Sequence, residues 1–90
     1  MSVVLRADLL QHLMDEGQAS KEMLMRLSGY PRQPVNNVLR DLRKQGLVLR
    51  TKARDALGYS IPLHSLTPRG IELALQAAQA NYLLTERKST

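Results

Sequence analysis

Between Arg32 and Arg40 the chain places five side chains whose chemistry suits the edges of nucleic-acid bases: Arg32, Gln33, Asn36, Asn37 and Arg40. An Asn or Gln amide pairs with adenine, and an Arg guanidinium pairs with the two acceptors of guanine, in the major groove of a duplex. Around them stand Arg26, Arg43, Lys44, Arg50, Lys52 and Arg54, which carry fixed or nearly fixed positive charge of the kind that holds phosphates. The net charge is +5, but residues 26–54 hold eight basic groups against Asp41 alone and net +7, leaving −2 for the rest of the chain. Charge gathered in one segment is the electrostatic footprint of phosphate binding. The plainer reading of the same residues is a solvated basic surface that confers solubility.

The segments around these residues have the patterns needed to position them. Val35, Val38, Leu39 and Leu42 recur at the spacing of one helix face, Pro34 suits a first helical position, and Gly46 suits a left-handed stop. This predicts a helix over 34–45 with a buried stripe and a polar, basic outer surface. Leu47–Lys52 then reads as a strand, and Ala53–Gly58 as a turn. Tyr59–Leu66 reads as a returning strand in loose alternation, with Tyr59, Ile61, Leu63 and then Leu66 apolar, Ser60, His64 and Ser65 between them, and Pro62 forcing an edge, a bulge or an interruption. Upstream, Leu5, Leu9 and Leu13, widened by Leu10 and Met14, predict a first helix over Ser2–Asp15 ended by Gly17. Ser20 is a fitting N-cap for a second, shorter helix, with Met23, Leu24 and Leu27 facing inward, Met25 peripheral, and Gly29 as its end. A short helix, a tight connection at Gly29–Gln33 and a third helix make a helix-turn-helix, whose second helix enters the major groove.

Downstream, Thr67-Pro68 starts a helix expected to reach about Leu84, followed by a polar tail over 85–90. Gly70 in its first turn costs about 1 kcal/mol relative to Ala, which points to a close backbone approach there. Two apolar stripes run along this helix, Ile71, Ala74, Leu75, Ala78 and Tyr82 on one side and Leu73, Ala77, Ala80 and Leu84 on the other. Either the second stripe meets another subunit, giving a homodimer through helix 67–84, or its alanines are simply helix formers on a free surface.

Ninety residues make one small domain, here 1–84 with its tail. Cysteine is absent, so no disulfide framework or thiolate metal site is expected, in keeping with a cytoplasmic, DNA-associated location. No run is apolar enough to cross a membrane, and Asp8, Gln11 and His12 fall where a signal peptide would be apolar. His12 stands with Asp8 and Asp15 at near-helical spacing, an arrangement that reads as polar surface and not as a metal site. No phosphate-binding Gly loop, zincin motif or nucleophile elbow is present, so neither an enzyme nor a cofactor is expected.

The order α-α-α-β-β-α, mainly α with a small β-hairpin, is that of a winged helix-turn-helix domain. The run from Val35 to Val48 resembles the recognition helix and first wing strand of MarR-like regulators, and Leu66-Thr67-Pro68-Arg69-Gly70 resembles the step by which such domains leave the wing. The resemblance spans about residues 3–82. It implies sequence-specific binding of double-stranded DNA by a transcriptional regulator, a repressor by preference. Helix 34–45 would lie in the major groove and the wing, 50–59, on the backbone or minor groove, with Arg54 and then Lys52 matching a wing-tip arginine. Arg32-Gln33-Pro34 departs from the small polar residues common at the helix start, and the flanking dimerisation helices are missing or shortened. The competing class is a winged-helix protein–protein interaction module. RNA binding is disfavoured by the shortage of aromatics, which are Tyr30, Tyr59 and Tyr82 alone.

Overall fold

The computed structural model describes residues 3–89, with side chains described for residues 4–79. Its elements run α1 (Val3–Glu16), β1 (Gln18–Ala19), α2 (Lys21–Ser28), α3 (Arg32–Lys44), β2 (Val48–Arg54), β3 (Ser60–Leu66) and α4 (Pro68–Ser89). The leucine stripe of α1 is buried as expected, with Leu5, Leu9, Leu10 and Leu13 in one cluster with Leu24 of α2 and Val35, Val38, Leu39 and Leu42 of α3. Each such side chain contributes about 1.5–3 kcal/mol relative to exposure, so this three-helix core is what fixes α3 in place. On α2 the expected assignment of two side chains changes: Leu27 is 42% exposed, while Met25 packs against the core.

The helices end where local hydrogen bonds close them. Ser20 Oγ accepts the Met23 N–H at 3.2 Å, and Gly29, at φ 75°, donates back to the Met25 carbonyl at 2.9 Å. α3 begins two residues earlier than Pro34 predicts: Pro31 is its N-cap, and Pro34 is its third residue. The first turn of a helix has no internal partners for its N–H groups, so a proline at the third position loses nothing there either. At the other end the Gly46 N–H donates to the Arg43 carbonyl and the Leu47 N–H to the Leu42 carbonyl, both at 3.0 Å. This is a Schellman closure, sealed by the buried pair Leu42 and Leu47.

The sheet holds one strand more than the sequence reading gave. Its order is β1-β3-β2, all antiparallel, with Gln18 opposite Ser65 and Ala19 opposite His64. β3 is therefore central at its base but has β2 as sole strand neighbour farther out, where Lys52 faces Pro62. Counting back from the Asp55 N–H bond to the Tyr59 carbonyl, Lys52–Pro62 is a non-hydrogen-bonded pair, so the missing N–H of Pro62 falls on the open side and breaks nothing. The hairpin tip is held by Asp55, whose Oδ1 accepts from the N–H groups of Leu57 (2.9 Å) and Tyr59 (2.8 Å).

The phase of β3 is opposite to the one its alternation implies. Register places His64 and Leu66 on the face of buried Val48, and Ile61 and Leu63 on the outer face. Tyr59, just before the strand, is 68% exposed. α4 opens as predicted, with Thr67 Oγ1 accepting the Gly70 N–H at 3.0 Å. Gly70 is buried so tightly that a Cβ there would collide with the Leu47 carbonyl oxygen, which accounts for the glycine. Of the two expected stripes, Ala74 is buried and Leu73 packs on the core, whereas Ile71 and Leu75 stay exposed. Ala80, Tyr82 and Leu84 lie outside the described side chains.

Candidate nucleic-acid interface

With 35, 38, 39 and 42 buried, the opposite face of α3 is set by geometry: Gln33, Asn37, Arg40 and Lys44 follow one another along it, all exposed. Gln33 Nε2 donates to Asn37 Oδ1 at 3.2 Å, one turn on. A shallow groove beside this stripe is lined by Asn37, Arg40, Asp41 and Lys44. Asn36 sits on the flank nearer α2 and is half-buried, its Oδ1 accepting from Lys21 Nζ at 3.2 Å. Arg32, at the helix start, pairs with Glu22 at 3.6 Å across the turn, both ends exposed.

Asp41, the one acidic group in the basic segment, is neutralised from α1. Arg6 Nη1 lies 3.5 Å from Asp41 Oδ2, Arg6 Nη2 donates to Gln45 Oε1 at 2.7 Å, and Gln45 Nε2 donates to Asp41 Oδ2 at 3.1 Å. This clamp leaves Arg40 and Lys44 on the outer face without a competing carboxylate. No pattern local to either segment announces the part played by Arg6, which lies 35 residues from Asp41 and 39 from Gln45.

On the wing, Arg50, Lys52 and Arg54 share the sheet face of Val48 and His64 and are all exposed. The core face of the sheet thus becomes, farther out, the basic face of the wing. Arg43 of α3, Arg50 of β2 and Lys21 of α2 all come close enough to His64 to act on its charge. Burial chiefly, and then these three cations, hold the His64 imidazole down at about 4, with Glu22 pulling weakly the other way. Its Nδ1 finds no hydrogen-bond partner among the described residues. Arg26 lies in the last turn of α2, and no described contact joins it to this cluster. His12 makes a 3.5 Å contact with Asp8, and among the described residues no group of three metal-ligating side chains occurs.

Lys21 and Arg6 are therefore the two residues the sequence reading passed over. A signal for Lys21 was present: a cation directly after an N-cap opposes the helix dipole and needs another cause.

The fold is that of a winged helix-turn-helix domain: α2 and α3 form the helix pair and β2–β3 the wing. No protein-family model and no curated protein sequence matches the chain. Solved structures do. ZitR from Lactococcus lactis, in its apo form, superposes with a TM-score of 0.81 at 17% identity, covering 97% of this chain and 64% of that one. A transcriptional regulator homologue from Pyrococcus horikoshii gives a TM-score of 0.80 at 15% identity over 98% of this chain and 86% of its own. A MarR family protein from Mycobacterium tuberculosis gives 0.73 at 28% identity, over 97% of this chain and 59% of its own. The chain accordingly resembles MarR-like regulators in fold, while spanning less than two thirds of the length of ZitR and of the mycobacterial protein.

Proposed function

We propose that this chain binds double-stranded DNA in a sequence-specific manner and regulates transcription, as a repressor that occludes its operator. The observation that carries this reading is the alignment of exposed polar and basic side chains on two neighbouring elements: Gln33, Asn37, Arg40 and Lys44 along the outer face of α3, and Arg50, Lys52 and Arg54 along one face of the wing. A single basic helix would serve solubility equally well. Exposed cations aligned on both the helix and the wing fit a phosphate backbone that passes along the two.

In this reading α3 lies in the major groove. Arg32, Gln33, Asn36, Asn37 and Arg40 face base edges, and Arg26, Arg43, Lys44, Arg50, Lys52 and Arg54 hold phosphates. The description of the Pyrococcus horikoshii neighbour as a transcriptional regulator homologue supports the same reading. A homodimer through α4 would present two such helices to half-sites one helical turn apart.

A salt titration on random duplex DNA, followed by selection from a randomised pool, tests it. The expected result is a log–log slope of several units and an enriched palindrome. Arg40→Ala is expected to cost about 1–3 kcal/mol at one base position, while Lys52→Ala weakens all sequences alike and lowers the slope by about one. A protein–protein interaction module is the second reading, favoured by Leu57 (82% exposed) and Tyr59 (68% exposed) at the wing tip. Capture of a protein partner that survives high salt, with no DNA binding at low salt, would replace the first reading by the second.

A further inference from the structure

Of the three base-facing amides, Gln33, Asn36 and Asn37, Asn36 is the one whose described partner is a charged group. Lys21 Nζ donates to Asn36 Oδ1 at 3.2 Å. An ammonium has three donors and no acceptor, so only the oxygen of the amide can face it, and the amide N–H2 must face away. The Gln33–Asn37 contact fixes nothing comparable: both amides can turn together and exchange donor for acceptor while keeping their bond.

We propose that Lys21 is a specificity-determining residue, which fixes the polarity of the Asn36 amide so that this position selects guanine in place of adenine. The inference rests on α3 being the base-reading helix. Adenine presents one acceptor, N7, and one donor, the N6 amino group, and needs both ends of an Asn amide. Here the oxygen is already bound to an ammonium, so the adenine amino group would have to share that oxygen and approach a positive charge. Guanine presents two acceptors, N7 and O6, and meets the outward N–H2 together with the remaining protons of Lys21. Lys21 and Asn36 thus act as one donor surface assembled from two helices. The placement of Lys21 against its own helix dipole is explained by the same contact.

The test is selection from a randomised duplex pool with the wild type, Asn36→Ala, Arg40→Ala, Lys21→Met and Lys21→Arg. The base position whose preference disappears in Asn36→Ala is the one that Asn36 reads. Wild type is expected to show guanine there, and Lys21→Arg to keep it. Lys21→Met is expected to move the guanine-to-adenine ratio at that position about tenfold towards adenine, within the range of one base contact, and to leave the other positions unchanged. Met preserves side-chain length and helix propensity and removes an unfavourable N-terminal charge, so the variant should fold, which a thermal melt verifies. The proposal is overturned by adenine in the wild type, or by a Lys21→Met protein that loses affinity uniformly with no change in preference, the behaviour of a simple phosphate anchor. If Asn36→Ala changes no position while Arg40→Ala does, this inference falls and the reading of α3 stands. If no variant changes any position, both fall.

Discussion

At the scale of single residues, His64 is where the domain departs from an apolar interior. It is 2% exposed, beside Ala19 on one strand and Arg50 on the other. With its imidazole held at about 4 against an ordinary 6.5, the unfolded chain takes up a proton in that window and the folded chain does not. Stability from this site is therefore complete above about pH 6.5 and declines as pH falls towards 4, by a total on the order of 3 kcal/mol. Burial sets most of the shift, and the charges that add to it are Arg43 on α3, Arg50 on β2 and Lys21 on α2, with Glu22 on α2 opposing. His64→Leu should flatten urea-unfolding midpoints between pH 7 and pH 5, above most carboxylate titration. It should also gain about 1 kcal/mol at pH 7 by removing the unpaired Nδ1. A variant whose midpoint falls with pH as steeply as that of the wild type would assign the dependence elsewhere. The sequence shows His64 as a polar residue between apolar ones, and its burial follows from strand phase, which Val48 and Leu66 decide only once the strands are paired.

At the scale of elements, the entry into α4 is a junction of three segments. Thr67 N–H donates to the Leu47 carbonyl at 3.0 Å, Thr67 Oγ1 donates to the Gly46 carbonyl at 2.7 Å, and the same Oγ1 caps the Gly70 N–H. The end of α3, the start of β2 and the start of α4 are thereby tied at one point, and the wing is held relative to the recognition helix. Gly70→Ala tests the junction cleanly, because helix propensity alone predicts a gain of about 1 kcal/mol. The added Cβ meets a backbone oxygen that cannot rotate away, so a net loss of about 1–3 kcal/mol is expected in thermal or urea unfolding. A stabilised variant would show that α4 stands off from β2. This junction was legible beforehand, since Thr-Pro followed by an ill-suited Gly is a local pattern with a local cause. So was the stripe of α3, written by apolar spacing. β1 was not, because two residues between a helix stop and an N-cap carry no periodicity, and Gln18–Ala19 becomes a strand only through pairing with β3. The start of α3 was misplaced because two prolines, Pro31 and Pro34, offer the same local signal and only the helix axis chooses between them.

At the scale of the whole molecule, the core accounts for one side of α4 and leaves the other. Ile71 is 40% exposed and Leu75 56%, one turn apart, and Val4 of α1 is 70% exposed. A cleft of about 400 Å³ between α1 and α4 is lined by Ala7, Ala74, Ala77 and Ala78, small side chains that let another helix approach closely, together with Val4, Asp8 and Gln11 of α1. With 22 residues α4 extends about 33 Å, more than the domain beneath it needs. The positive charge is concentrated in residues 26–54, which net +7, and none of those residues lines this cleft. We propose a dimer through α1 and α4 as the form that binds DNA. Leu75→Glu places a charge in the apolar face at a position that is 56% exposed and outside the buried core, so the monomer fold should persist by circular dichroism. Sedimentation at micromolar concentration is expected to give a dimer for the wild type and a monomer for the variant. On an operator with two half-sites the variant should lose at least tenfold in affinity, about 1.4 kcal/mol, because each half-site is then bound alone. On a single half-site wild type and variant should bind alike. A wild type that sediments as a monomer at every concentration, yet binds the full operator no more tightly than Leu75→Glu does, would leave this face without a role in DNA binding.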